Sequence, residues 1–374
     1  GGRPGGRGVV CSASYETRAF GVRSAMPIDR ALRLCPDAMC VPVPRQCREK
    51  SREIRAVLER WTPVVEGASV DEWYLDLTGT EQLYHGESLD ATARRIRDEV
   101  RERTRLNISI GGGPSKFIAK LAAERAKPRA DRPGATGVLI VANDAVDAFL
   151  RTLPLADIPG IGPKAQVRLE SLGMRTVADA LAWDREALRA RLGQRGGDWL
   201  HSRVRGIDDR PVTPREPRKQ ISRERTFSKD IADPRALRRR LDGVAHLVAA
   251  DLRKEGLQAR TITVKLRDAD FRTRSSTRTL AALVESDRAI VEVSRELLDR
   301  LQRIRRAPAR LVGVALGGFD LPDAASQLTL FGDADAGAEV IESERDRSLS
   351  RAVDVVRNRF GAASIRIGDG AEEH

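Results

Sequence analysis

The chain has 374 residues, 41% hydrophobic and 4% aromatic, and its 66 Lys and Arg outnumber 54 Asp and Glu for a formal charge of +12. That length supports two or three domains with cores of their own, and no apolar run approaches the roughly 18 residues of a bilayer crossing, which excludes a membrane-spanning helix. The positive balance is spread over several elements rather than along one amphipathic helix, so a polyanion, nucleic acid first, is the expected partner and a membrane surface is not.

Cys11, Cys35, Cys40 and Cys47 crowd the start of the chain at spacings that match no common zinc pattern. With only four histidines in the chain, free thiols in a reducing cytoplasm are expected. The chain opens on Gly1-Gly2-Arg3-Pro4-Gly5-Gly6 and enters a strand-like Gly8-Val9-Val10 at once, which reads as the interior of a domain. Small helices follow over Ser14–Phe20, Ile28–Leu34 and Arg48–Trp61, the last with Ile54, Val57, Leu58 and Trp61 on one stripe. Tyr15 and Arg18 share a helix face, where a phenol and a guanidinium suit a phosphate; an exposed pair of no consequence is the more frequent outcome of such spacing alone.

Residues 61–152 alternate strand and helix. Val64-Val65 and Trp73–Leu77 flank Gly67 and Ser69, which predicts a tight hairpin with Asp71 and Glu72 at its bend. Adjacent side chains of a straight strand point to opposite faces, so two neighbouring carboxylates converge only where the backbone turns. There they make a hard-oxygen site suited to Mg²⁺, although most isolated Asp-Glu pairs are solvated turns. A helix from about Leu89 to Arg103 with Ala93, Ile96 and Val100 inward comes next, then a strand over Asn107–Ile110. Gly111-Gly112-Gly113-Pro114 is expected as a close-packed strand-to-helix turn, with Ser115 capping a helix that carries Ile118, Leu121 and Ala122. Lys127 ends that helix before Pro128, placed for the helix dipole or for an anionic ligand.

Residues 153–212 change to short helices punctuated by Gly. Ile158–Ala165 has the pattern of a helix-hairpin-helix, whose backbone N–H groups around Gly160 and Gly162, with Lys164, bind a DNA phosphate without reading sequence. Residues 213–222 are rich in Pro, Arg and Lys and read as a basic tether. An α+β unit fills 223–319. Its helix over Pro234–Lys254 carries Leu237, Leu241, Val244, Leu247, Val248 and Leu252 at helical spacing. In Arg260–Arg267, Ile262, Val264 and Leu266 face a core while Thr261, Thr263, Lys265 and Arg267 face outward, and Arg272, Arg274 and Arg278 follow; the cationic face suits a phosphate backbone. In the tail, exposed Leu and Phe within Ser326–Phe331 imply docking into a partner's apolar groove, and a helix over Leu349–Phe360 ends the chain without a functional reading.

Five ordered stretches, Ser12–Pro27, Ser69–Asp76, Pro159–Gly162, Ser222–Phe227 and Lys265–Thr273, together resemble the Y-family, translesion DNA polymerases of the DNA polymerase IV (DinB-like) branch, over about Gly8 to Phe331. The resemblance implies a multidomain α+β right hand. The end of the first palm strand and small fingers would fill 1–60, and a palm of mixed sheet plus helices, with the catalytic hairpin, 61–152. A helix-hairpin-helix thumb would occupy 153–212, a basic linker 213–222, an α+β little finger 223–319 and a tail with a clamp-binding peptide 320–374. The implied activity is error-prone synthesis across damaged DNA by two-metal nucleotidyl transfer, with primer–template DNA and dNTP as partners, two Mg²⁺ ions and a monomeric chain. Asp71 would ligate metal beside the catalytic carboxylate of Glu72. Ser12, Tyr15, Arg18 and Lys127 would hold the triphosphate, and Gln327, Leu328, Leu330 and Phe331 would dock on the sliding clamp.

The sequence departs from the pattern in places. Trp73 stands where a small residue is usual, expected either beside the metals or beneath the hairpin; Ser12 replaces a Thr, and Arg129–Pro133 lengthen the Lys-Pro turn. The family's earlier strand, with an Asp that completes the metal site and an aromatic that excludes ribonucleotides, precedes the first residue here. On that ground the sequence reads as shortened and this exact chain as nearly inactive. The alternative is a non-catalytic Y-family-like scaffold for DNA and the clamp. A nuclease or ligase with a helix-hairpin-helix leaves the tail peptide unexplained.

Overall fold

The computed structural model describes residues 3–44, 46–80, 83, 86–128, 134–214, 218–319, 341–361 and 364–365. Its elements are, in order, α1 (Tyr15–Ala19), α2 (Ile28–Leu34), α3 (Cys47–Leu58), β1 (Val65–Gly67), β2 (Trp73–Leu75), α4 (Leu89–Thr104), β3 (Ile110–Gly112), α5 (Lys116–Ala126), β4 (Val138–Ile140), α6 (Val146–Arg151), α7 (Pro163–Glu170), α8 (Val177–Leu181), α9 (Arg185–Leu192), α10 (Gln194–Val204), β5 (Gln220–Ile231), α11 (Pro234–Lys254), β6 (Ala259–Asp268), β7 (Thr273–Val284), α12 (Asp287–Ile304), β8 (Ala309–Phe319) and α13 (Glu344–Phe360). They form two compact units, residues 42–216 and residues 1–41 with 217–374. Among the described residues no helix is long and apolar enough to cross a membrane.

In the unit of 42–216, α3 and α4 contribute Ile54, Val57, Leu58, Ile96 and Val100 to a core under the antiparallel hairpin β1–β2, whose register pairs Val65 with Leu75 and Gly67 with Trp73. Trp73 leans on that core, which decides between its two expected places in favour of packing under the hairpin. The strand expected over 107–110 begins only at Ile110 and pairs in parallel with β4. Arg105 ends α4 in the left-handed region (φ 61°), and the next residues serve as connector, with Arg97 Nε donating to the Ile108 carbonyl at 3.1 Å. Gly111 and Gly112 belong to the strand itself, because α5 crosses it so closely that a β-carbon at Gly111 would stand 2.0 Å from the Ala123 nitrogen. Phe117, Ile118 and Leu121 of α5 share one core with Leu150, Ile158, Met174, Leu188 and Leu200, so the helical segment after β4 is rooted on α5.

In the other unit the sheet order is β5-β8-β6-β7, antiparallel throughout. Leu241, Val244, Val248 and Leu252 of α11 and Ile290, Leu297 and Leu301 of α12 cover one face, meeting Ile262, Val264 and Leu266. Leu247, expected in the apolar stripe, is 57% exposed. The chain's start is joined to this unit by the Arg7 guanidinium, which pairs with Asp230 and donates to the Phe227 carbonyl. Helix α13 begins earlier than its sequence stripe, because Ser343 and Asp346 form a capping box at its start.

Candidate metal hairpin and nucleic-acid interface

The turn from Ala68 to Glu72 is closed by the amides of Ala68 and Ser69, both donating to the Glu72 carbonyl at 3.0 and 3.2 Å. Ser69 Oγ donates to Asp71 Oδ1 and accepts from the Asp71 amide at 3.3 Å, which fixes the start of the acidic pair. Asp71 and Glu72 are both exposed, on adjacent residues of a rigid turn. The Glu72 carboxylate is paired with the Lys120 ammonium of α5, and that hydrogen bond and charge raise the lysine's pKa against the opposing effect of burial. Asp76, past the hairpin, is held below the usual carboxylate range by the Thr78 side chain and amide.

One helical turn before Lys120, Lys116 reaches Glu66 of β1, with both carboxylate oxygens at 2.6 Å. Glu66 also accepts the Thr213 amide at 2.8 Å, so the basic stretch is fastened at its first residue. Burial works to raise the Glu66 pKa, but Lys116 and the Thr213 amide hold it below its ordinary value. Sequence reasoning passed over Glu66, Lys116 and Lys120. The signal was the i, i+4 spacing of the two lysines beside two glutamates on one hairpin.

The other candidates divide between the units. Tyr15 and Arg18 do share a face of α1, the guanidinium carbon lying 5.3 Å from the ring centroid while Arg18 Nε donates to the Ala13 carbonyl at 3.0 Å. Ser12 is exposed just before them. Lys127, in the unit of 42–216, caps the end of α5 and pairs with Glu124. In the helix-hairpin-helix, Gly160 has φ +105° and Gly162 is the N-cap of α7, which has no side-chain cap; Gly162 and Lys164 are exposed.

On the sheet face away from α11 and α12, Thr263 meets Thr277 at 2.9 Å, Lys265 Nζ pairs with Glu224 at 2.8 Å and Arg267 Nε donates to Thr273 Oγ1 at 2.9 Å. Arg272 is exposed at the β6–β7 turn. Arg274 lies elsewhere: it is cross-strand from the core residue Leu266, and its guanidinium serves the fully buried Asp268 at 2.9 Å and the Leu301 carbonyl. It therefore drops out of the outward cationic set, for strand alternation turns it toward α12. Gln327, Leu328, Leu330 and Phe331 lie outside the described residues.

Family models match along most of the chain: the impB/mucB/samB family over residues 2–124, a DNA polymerase-iota thumb domain over 156–208 and the impB/mucB/samB C-terminal domain over 218–330. The chain belongs to the impB/mucB/samB family of Y-family DNA polymerases. Similar family members include the DNA polymerase IV of Caulobacter vibrioides, 38% identical over 97% of this chain and 86% of that one, and of Xanthomonas euvesicatoria pv. vesicatoria, 40% identical over 88% and 89%. Among solved structures, a Y-family DNA polymerase chimera, Dbh-Dpo4(243-245)-Dbh, matches with a TM-score of 0.73 at 26% identity, covering 85% of this chain and 89% of that one. An insertion ternary complex of Dbh DNA polymerase matches at 0.57 and 26% over the same shares. As a Y-family member the chain is a DNA-directed DNA polymerase with the α+β right-hand architecture expected from its motifs, and it belongs to a metal-dependent class of nucleotidyltransferases.

Proposed function

We propose that this Y-family polymerase extends primers across damaged template positions by two-metal nucleotidyl transfer at Asp71 and Glu72. The observation that carries the reading is the Ala68–Glu72 turn, which fixes two exposed carboxylates side by side on a hairpin rooted in a hydrophobic core. Hard oxygen donors open to water fit Mg²⁺, which keeps several waters and binds through one or two carboxylates plus substrate phosphates. Two ions bound there would lower the pKa of the primer 3′-hydroxyl and neutralise charge on the triphosphate.

Asp71 would contribute ligand oxygens, and Glu72 would contribute a carboxylate of which Lys120 already takes one oxygen. Ser12, Tyr15, Arg18 and Lys127 are assigned to the triphosphate, the stacked Tyr15–Arg18 pair supporting the phenol-and-guanidinium part of that set. Gly160, Gly162 and Lys164 offer N–H groups and charge to one phosphate at the open start of α7. Thr263, Lys265, Arg267 and Arg272 track the backbone on a face where β8 sets Ala315 opposite Thr263, Gly313 opposite Lys265 and Leu311 opposite Arg267. Residues 327–331 are assigned to the sliding clamp. In this reading 1–60 holds the end of the first palm strand and the fingers, 61–152 the palm with the catalytic hairpin, 153–212 the thumb, 213–222 the linker, 223–319 the little finger and 320–374 the clamp-binding tail of a cytoplasmic monomer.

The test is primer extension with Mg²⁺ and dNTPs on intact and abasic templates by a protein that carries the family's earlier metal-binding strand ahead of residue 1. Asp71→Asn and Glu72→Gln should each lower the rate at least about a hundredfold, the scale expected when a preorganised charge at the reacting phosphate is lost. Wild-type rates in Asp71→Asn would exclude the hairpin as the metal site.

A further inference from the structure

We infer that Glu66 and Lys116 are positioning residues, a single ion pair that sets the metal hairpin on α5 and ties the chain leaving the thumb to the same point. The inference rests on the reading of Asp71 and Glu72 as metal carboxylates. Lys116 and Lys120 stand one turn apart on α5, and each takes a glutamate of the hairpin, Glu66 at its base and Glu72 at its tip. The base pair is the more sheltered, with side chains 11% and 23% exposed against 27% and 45% at the tip.

Lys116 sits in a built socket. Its ammonium holds both Glu66 oxygens, lies 4.9 Å from the ring centroid of Tyr74, the cross-strand partner of Glu66, and is 3.3 Å from the Pro211 carbonyl. Glu66 in turn accepts the Thr213 amide, so one carboxylate gathers the hairpin, α5 and the segment after α10. Helix α5 is a firm reference for this, because its backbone is packed directly on Gly111 of β3. The two pairs differ in what the reaction asks of them. Glu72 would share its carboxylate between Lys120, which takes one oxygen, and a metal, whereas Glu66 gives both oxygens to Lys116 and would hold the turn in place without taking part in the chemistry.

The variants are Glu66→Gln, Lys116→Met, the charge-swapped double Glu66→Lys/Lys116→Glu, and Asp71→Asn. The readouts are Mn²⁺ affinity by EPR with primer–template DNA and a non-hydrolysable dNTP bound, hydrogen exchange at the Ala68, Ser69 and Thr213 amides, and thermal unfolding. Lys116→Met should weaken Mn²⁺ binding about tenfold or more, the usual effect of losing a residue that orients a metal ligand, and should speed exchange at Ala68 and Ser69. The swapped pair should recover most of the Mn²⁺ affinity while Thr213 exchanges faster than in the wild type, since a lysine at 66 has no acceptor to offer its amide.

A Lys116→Met protein with a lowered melting temperature but wild-type Mn²⁺ affinity and turn exchange would reduce the pair to a stabilising contact and overturn the inference. If Lys116→Met does not fold, Glu66→Gln, which keeps an acceptor and loses the charge, carries the same expectations. Mn²⁺ binding that survives Asp71→Asn overturns the metal-site reading instead, and turn exchange in Lys116→Met still decides whether the pair positions the hairpin.

Discussion

A β-carbon at Gly160 would stand 2.7 Å from Cζ2 of Trp199, so the turn that opens α7 is seated directly on the indole of α10. The left-handed φ of +105° at Gly160 adds a second reason for glycine there, whereas Gly162 has an ordinary φ of −88° and nothing within 4 Å of its would-be β-carbon. Gly160→Ala is expected to destabilise by about 1–3 kcal/mol, the cost of backbone strain with a clash added, and to weaken DNA binding uniformly across sequences. Gly162→Ala should leave stability near wild type. Urea unfolding and fluorescence anisotropy on two unrelated duplexes check both.

The little-finger cations separate by face. Arg267→Ala and Arg272→Ala should each reduce the slope of log affinity against log salt by about 1, with little change in stability. Arg274→Met should leave that slope alone and lower stability by about 2–3 kcal/mol, because Asp268, 0% exposed, keeps only Arg305 at 2.7 Å. Salt titrations of DNA binding beside denaturant unfolding give the comparison; a slope change in Arg274→Met would return that residue to the DNA face.

Helix α13 completes the unit that carries the sheet. Glu342 accepts the Glu285 amide at 2.9 Å and the Ser286 amide, Ser350 Oγ accepts the Asp287 amide at 3.0 Å, and Arg253, 5% exposed, joins Asp287 at 2.9 Å to Asp354 at 2.6 Å. The tail thus takes the Glu285, Ser286 and Asp287 amides, beside the Ala289 amide that the α12 N-cap Ser286 takes itself. Arg253→Met should cost about 3 kcal/mol by leaving the half-buried Asp354 without its arginine and Asp287 with His246 alone at 3.1 Å, and Asp354→Asn clearly less, since Asp287 still pairs with the arginine. Calorimetry of the two variants provides the measurement.

Acid should loosen the segment that leaves α10. Asp208, its side chain 1% exposed, is pushed down to about 2 by the hydrogen bonds from Arg210 and Arg203, against burial acting the other way. A folded-state pKa below the unfolded one gives stability that is present above about pH 4 and lost as pH falls toward 2, roughly 2 kcal/mol in all. The acid limb of a stability–pH profile should therefore flatten in Asp208→Asn. An unchanged limb would remove Asp208 from the account.

The tail peptide is tested on the clamp itself. Replacing Leu330 and Phe331 by Ala should weaken binding to a bacterial sliding clamp by about 2 kcal/mol or more if they are the buried anchors of the contact, and should leave primer–template affinity alone. Surface plasmon resonance with immobilised clamp reads the first and anisotropy the second. Wild-type clamp affinity in the double variant excludes the assignment.

Most of the architecture was legible because its period is local. Helix α11 runs over the expected Pro234–Lys254, and the alternation of Ile262, Val264 and Leu266 predicts which face of β6 meets the helices. Misplacements arose where a distant element decides. The strand near 110 moved onto glycines because α5 presses on it, and Arg274 turned inward because its register on β7 sets it opposite Leu266. Arg274 follows the exposed Arg272 and Thr273, and no spacing within its own strand announces a buried Asp268.

By itself the sequence determined the acidic turn, the glycines of the helix-hairpin-helix and the family, since each depends on neighbouring residues and backbone conformation. Only the tertiary structure decided which charges are already spent. Glu66 with Lys116, Glu72 with Lys120 and Asp268 with Arg274 join residues separated in the chain, and an ion pair forms only where packing brings its partners within reach at a sheltered site. The hairpin's two carboxylates could be read from a dozen residues. The lysines that pair with Glu66 and Glu72 needed a helix brought within reach of that hairpin.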